Sequence, residues 1–146
     1  AIINGLDPDN LLRFFDGEDI GTYFIPASAR MTAKKHWIAF TKKPRGKLFV
    51  DAGAHRALVM EGKSLLPSGI RGVEGTFERG DSVSLYDDSG NFFARGVTNY
   101  TLAELLHIMG KKTSEIIDIL GYKYADEVIH RDNLVLSTAD DDRPLD

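Results

Sequence analysis

The sequence predicts a mixed α/β fold, mainly β: a small barrel of short strands with peripheral helices. Three observations carry that expectation. Five or six strand-like runs recur between Gly, Pro and Asp turn signals. Two helical segments carry both a start signal and a glycine stop. Apolar residues make up 42% and charged residues 27% of 146 positions, ordinary usage for one domain able to bury its own core.

Taken in order, Ala1-Ile2-Ile3-Asn4 runs straight into Gly5, and Asp7-Pro8 reads as a helix N-cap with Pro at the first helical position. A short helix is expected over Asn10–Phe15, ended by Asp16-Gly17, and a strand over Ile20–Ile25 stopped by Pro26. Those pieces bury little alone, which suggests a segment cut from something larger. His36–Thr41 has strand composition, Lys42-Lys43-Pro44-Arg45-Gly46 is a basic turn, and Lys47–Asp51 is a strand. Ala52–Glu61 reads as a helix with Ala54, Ala57, Leu58 and Met60 on its apolar side and Gly62 as C-cap. After the Pro67-Ser68-Gly69 turn, strands are expected at Ile70–Phe77, Ser82–Tyr86 and Asn91–Val97, the last two joined by an Asp87–Gly90 hairpin loop. Thr101 and Glu104 form a capping-box signature ahead of Leu105, Leu106 and Ile108. Thr113 or Ser114 is expected to cap a second helix carrying Ile116, Ile117, Ile119 and Leu120, with Gly121 as its stop. Val128–His130 and Leu134–Leu136 read as strands, and the Asp-rich end as unfolded. Trp37 and the Phe residues sit in strand-like patterns and are assigned to the core.

Charge is unevenly placed. Arg30 to Val50 holds seven basic residues and no acidic one, whereas Asp126 to Asp146 holds seven acidic residues and two Arg. The net charge of −4 argues against a generic polyanion binder, and the split suggests one positive region and one negative tail. With no Cys, the chain has no disulfide, no thiol nucleophile and no Cys-ligated zinc, which is compatible with a reducing cytoplasm. No apolar run approaches the ~20 residues of a membrane span, and no secretory leader is recognisable.

Several motifs tempt and fail. Glu61-Gly62-Lys63-Ser64 echoes the tail of a phosphate-binding loop, but position 57 is Ala and a helix precedes it where a strand is required. His130-Arg131-Asp132 echoes a kinase catalytic loop, but Ser137 stands where its Asn belongs. His36, His55, His107 and His130 have no ligand spacing, and no Gly-x-Ser-x-Gly elbow occurs. Gly69, Gly72 and Gly75 are wrongly spaced for a dinucleotide fingerprint and fit close backbone approach between strands. The residues alone assemble no catalytic constellation.

The runs Phe49-Val50-Asp51-x-Gly53-Ala54-x-x-Ala57-Leu58, Gly62-x-Ser64-Leu65-Leu66-x-x-Gly69-Ile70, Gly80-Asp81-x-Val83 and Ala94-x-Gly96 resemble the PUA domain. That resemblance covers Gly46 to about Ala125 and implies a PUA-type pseudo-barrel. Flanking runs extend it: Gly21-Thr22-x-Phe24, Lys35-x-Trp37-Ile38, Val73-x-Gly75-x-Phe77-x-Arg79-Gly80, Leu120-Gly121-Tyr122 and His130-Arg131-Asp132-Asn133 resemble the bacterial glutamate 5-kinase family. The resemblance implies the following layout: residues 1–26 as the end of an amino-acid-kinase domain, 27–45 as a basic linker with a strand, and 46–125 as the PUA domain. Residues 126–139 would be C-terminal strands and 140–146 an acidic disordered tail.

For the parent protein the resemblance implies ATP- and Mg²⁺-dependent phosphorylation of the glutamate γ-carboxylate, the first step of proline synthesis, in a cytoplasmic homo-oligomer. The chain itself, lacking the kinase part, is expected to be inactive and to hold no catalytic, metal or cofactor-binding residue. Two roles are open for it: a regulatory module docked on the kinase domain, which is the working reading, or an RNA-binding module. RNA contact in PUA domains uses the first helix and its flanking turns, which here would include Lys47, Gly53, Arg56, Lys63 and Arg71. Net acidity and the lack of an aromatic cluster clearly placed for stacking weigh against RNA.

Overall fold

The computed structural model describes residues 9–18, 20–22, 37–38 and 43–137. The chain divides into two compact units, Ala1–Arg30 and Met31–Asp146.

In the first unit, helix α1 spans Asn10–Phe15. Its N-cap is Asp9, whose side chain makes no capping bond, and the expected Asp7-Pro8 signal lies outside the described residues. The helix ends at Asp16, and Gly17 follows with φ +84°, the left-handed turn a glycine allows. Arg13 Nε donates to Glu18 Oε2 at 2.7 Å across that turn. Of the expected strand Ile20–Ile25 only residues 20–22 are described.

The second unit is built on a five-stranded mixed sheet. Strands β1 (Gly46–Val50), β2 (Ile70–Gly75), β3 (Ser82–Tyr86), β4 (Phe92–Val97) and β5 (Leu134–Leu136) lie in the order β2-β1-β3-β4-β5. The β1–β3 pair is parallel and the others are antiparallel. Alternation sends Leu48, Val50, Val83, Leu85 and Ala94 to the inner face, where each is fully buried. Helix α2 (Ala52–Glu61), helix α3 (Leu102–Ile108) and helix α4 (Ile116–Leu120) complete this core with Leu58, Leu105, Ile108 and Ile116. Leu65 bridges Ile129, and the Leu65 N–H donates to the Ile129 carbonyl at 2.8 Å, so the sheet curls into a pseudo-barrel.

Gly62 and the Thr101–Glu104 capping box act as expected, whereas Asp51, expected to end the strand, is the N-cap of α2. Asp51 accepts from the Ala54 N–H at 2.8 Å and Gly62 closes α2 at φ +60°. Thr101 and Glu104 form the reciprocal capping box of α3. Ahead of α4 the structure departs from expectation. Thr113–Glu115 is a 3₁₀ turn, and the Glu115 carboxylate accepts from the Lys112 N–H at 2.7 Å, so neither Thr113 nor Ser114 caps the α-helix.

Four further expectations change. Trp37–Ile38 is helical rather than extended; Trp37 is 46% exposed, and Ile38 is buried against Val97 and Val135. The rest of His36–Thr41 lies outside the described residues. Val128–His130 contributes one bridge, not a strand, because the chain turns at once into a 3₁₀ turn over Arg131–Asn133. β2 stops at Gly75, whose φ of +106° turns the chain so that Phe77 is buried beside Gly46. Met60 is 77% exposed, off the apolar side of α2. The acidic 140–146 end lies outside the described residues.

Candidate functional site

The five residues singled out from the sequence do not form one cluster. Gly53 and Lys63 border a groove of about 280 Å³ between α2 and the Pro67–Gly69 turn, with Ala57, Leu65 and Leu66 among its walls. Arg71 lies in a second groove of about 570 Å³, with Phe49, Gly72, Glu74 and the Asp87–Gly90 loop. Lys47 lies in a third of about 380 Å³, with Pro44, Arg45, Glu74, Ser84 and Tyr86. Arg56 is half-way along α2, outside all three.

Two of the four cations are already committed within the chain. Arg71 Nη2 donates to Asp51 Oδ2 at 2.9 Å, while Asp51 Oδ1 caps α2, so that carboxylate ties β2 to the helix start. Lys63 pairs with Glu61. Ser64, its neighbour in the phosphate-loop echo, accepts from the Arg131 N–H at 2.9 Å, a structural bond. The kinase-loop echo is likewise a turn, with His130 Nδ1 accepting from the Asp132 N–H at 3.2 Å. Lys47 and Arg56 make no ion pair among the described residues.

On the outer face of the sheet, pairing assembles something the sequence concealed. The β1–β3 register sets Phe49 beside Tyr86, and the β3–β4 register sets Tyr86 beside Phe92. Their ring centroids are 5.5 Å and 5.8 Å apart, a half-buried aromatic row across three strands. Lys47 Nζ lies 5.5 Å from the Tyr86 ring centre, and the Arg95 guanidinium 5.6 Å from that of Phe92. The expectation that no aromatic cluster is clearly placed for stacking is therefore corrected: Tyr86 and Phe92 meet across the antiparallel β3–β4 hairpin, and Phe49, far away in sequence, joins them only through the parallel β1–β3 pairing.

A second charged cluster is structural. Arg79 donates to Glu104 Oε1 at 3.1 Å and to the Asn99 carbonyl at 3.0 Å, and its guanidinium stacks 4.0 Å from the Tyr124 ring centre. Tyr122 Oη donates to the same Glu104 oxygen, and Oε2 accepts from the Thr101 N–H at 2.7 Å. Partial burial works to raise the Glu104 pKa, but the bonds from Tyr122 and Thr101 and the Arg79 charge outweigh it and hold the carboxyl below its ordinary 4.5. The same bond to Glu104 raises the Tyr122 phenol above its ordinary value. This cluster fastens α3 to the loops on either side of it.

No group of three or more His, Asp or Glu able to hold a metal occurs among the described residues, and none of their helices is long and apolar enough to cross a membrane. Comparison with known proteins adds the following. The chain is 53% identical over 135 residues to a glutamate 5-kinase of Syntrophotalea carbinolica, covering 92% of this chain and 36% of that one. It is 47% identical over 142 residues to a glutamate 5-kinase of Dictyoglomus turgidum, covering 96% and 38%. The chain thus spans little more than a third of the curated relatives it matches. Among solved structures, a PUA domain of Aeropyrum pernix in complex with tartrate aligns at a TM-score of 0.44 and 26% identity, over 59% of this chain and 41% of that one. The family model described as the PUA domain matches residues 46–120, from the first residue of β1 to the last of α4, and the chain belongs to the PUA-domain family.

Proposed function

We propose that this chain is the C-terminal, non-catalytic part of a glutamate 5-kinase, and that it works as a regulatory module against the kinase part of the same polypeptide. The carrying observation is the relation of lengths: near-complete coverage of this chain at about half identity, against 36% of the relative. In this reading the parent enzyme transfers the γ-phosphoryl group of ATP, with Mg²⁺, to the glutamate γ-carboxylate. The residues that cradle triphosphate and orient the acceptor would lie in the other two thirds.

The docking role is favoured over contact with structured RNA by what the basic residues do. Arg71 and Lys63 are engaged with Asp51 and Glu61, and Lys47, Arg56 and Arg71 are distributed over different parts of the surface. An RNA site made of Lys47, Gly53, Arg56, Lys63 and Arg71 would break two ion pairs to gain phosphate contacts.

The test compares the full-length parent enzyme with a version ending before residue 46. The truncated enzyme is expected to retain glutamate-dependent ATP turnover and to respond differently to proline and Mg²⁺. Unchanged responses overturn the regulatory role. RNA titration at two salt concentrations addresses the competing reading, which demands a log–log slope of roughly −2 to −4 for three to five phosphate contacts.

A further inference from the structure

The groove on the outer face between β1, β2 and the segment before β1 combines an aromatic residue, two cations and one carboxylate. One wall is the Tyr86 ring, and Pro44 offers a second flat apolar surface. Arg45 and Lys47 supply two cations, and Glu74 supplies one carboxylate. Lys47 and Glu74 are directly opposed across the β1–β2 ladder, both exposed, yet no ion pair of 4.0 Å or less joins them. Arg45 reaches Asp81 only at 3.7 Å. Two opposite charges thus border one groove without neutralising each other, beside an aromatic face.

The floor is close-packed backbone. A Cβ on Gly46 would sit 2.2 Å from the Phe77 ring, and one on Gly75 would sit 2.5 Å from the Arg45 carbonyl oxygen. Gly46 faces the buried Phe77 ring and Gly75 the neighbouring backbone, so these contacts fix the β1–β2 backbone beneath the groove. The volume of about 380 Å³ falls in the range of small-molecule sites.

We propose that this groove binds a nucleobase carrying a ribose phosphate, with the base stacked on Tyr86, the phosphate at Arg45 and Lys47, and Glu74 accepting from the ribose hydroxyls. The chemistry selects this class. An aromatic wall recognises a planar ring system without regard to its edge. Two cations favour an anionic group, and the carboxylate repels one, so an anion settles at the Arg45–Lys47 side and hydroxyl donors at the Glu74 side. A bare phosphate uses the cations alone, and an uncharged sugar leaves them without an anionic partner. The site is separate from the kinase reading above and stands or falls independently of it.

The experiment titrates the 146-residue chain with AMP, GMP, CMP and UMP, following backbone amide shifts by NMR, with adenosine, inorganic phosphate and a short single-stranded RNA as further arms. Shifts centred on β1, β2 and Tyr86 are expected with mononucleotides. Tyr86→Leu should weaken binding about 5- to 100-fold, the span of one lost base stack. Lys47→Ala, an exposed change that leaves the fold intact, should weaken it about tenfold and reduce its salt dependence, whereas Arg56→Ala should leave it unchanged. Tighter binding of RNA than of mononucleotides assigns the nucleotide unit to a strand, and equal or weaker binding assigns it to a free nucleotide. Absence of mononucleotide and RNA binding at millimolar concentration overturns the proposal. So does binding by inorganic phosphate as tight as by AMP, or binding indifferent to both Tyr86→Leu and Lys47→Ala.

Discussion

The start of α2 and the outer groove of the sheet use the same kinds of residue to opposite ends. At the helix start, Asp51 caps α2 with one oxygen and holds Arg71 with the other, leaving little charge unspoken for. At the other end of the same β1–β2 ladder, Lys47 and Glu74 stand opposite each other and do not pair. The difference lies in reach and geometry. An N-cap carboxylate is fixed by backbone N–H groups and so presents a fixed partner to an incoming guanidinium. A flexible Lys above an aromatic ring can satisfy itself on the ring face without ordering a distant carboxylate. Pairing that is pre-organised becomes architecture; charge that is not remains available.

The largest expected effect strikes the groove through its floor rather than its charges. Gly46→Ala forces a Cβ against Phe77 and the Glu74 carbonyl. A loss of about 3 kcal/mol, the upper range of overpacking, is expected in chemical denaturation. A loss below about 0.5 kcal/mol would show that the floor yields and that the contrast between rigid base and free rim is mistaken.

Next comes the Arg79–Glu104–Tyr122 cluster, in which Glu104 is held by Arg79, Tyr122 and Thr101 together. Glu104→Gln should cost about 2 kcal/mol near neutrality through lost charge-assisted bonds. The sign with pH follows from the lowered pKa of Glu104. Its stabilisation is present above the ordinary 4.5 and is lost as pH falls through the lower folded-state value. The stability gap between the parent chain and Glu104→Gln should therefore narrow on acidification to about pH 3, and a gap that widens contradicts the assignment.

Asp51→Ala removes the α2 cap and the Arg71 partner together, and about 1 kcal/mol is expected from the cap. Arg71→Ala alone, in which the cap survives, should change stability by less than about 0.5 kcal/mol because an exposed ion pair contributes little. Equal effects of the two would move the weight from cap to ion pair. The smallest change is expected from Lys47→Ala, within about 0.5 kcal/mol, since Lys47 makes no ion pair among the described residues.

Much of the fold was readable because local chemistry and tertiary structure agree. The Thr101 cap, the Gly62 and Gly121 stops and the Asp87–Gly90 hairpin all carry their own geometry in neighbouring residues. The misreadings occur where tertiary context overrides local pattern. Ile38 looks like a strand residue but is buried from a helical turn against Val97 and Val135. Val128–His130 looks like a strand but pairs at one point before the chain turns. For the candidate surface the sequence supplied the cations and withheld their surroundings. Lys47 was visible as a positive charge; its position between Tyr86 and Glu74 depends on a parallel β1–β3 register and an antiparallel β1–β2 register that no local signal encodes.

The placement of β1 has a mechanical consequence. The first strand of the sheet, β1, is an interior one, with β2 on one side of it and β3 on the other. Tension applied to the chain ahead of Gly46 is therefore carried in shear by two hydrogen-bonded ladders at once, whereas an edge strand could be peeled away one bond at a time. Such a pull would load the strand that also carries Lys47 and Phe49.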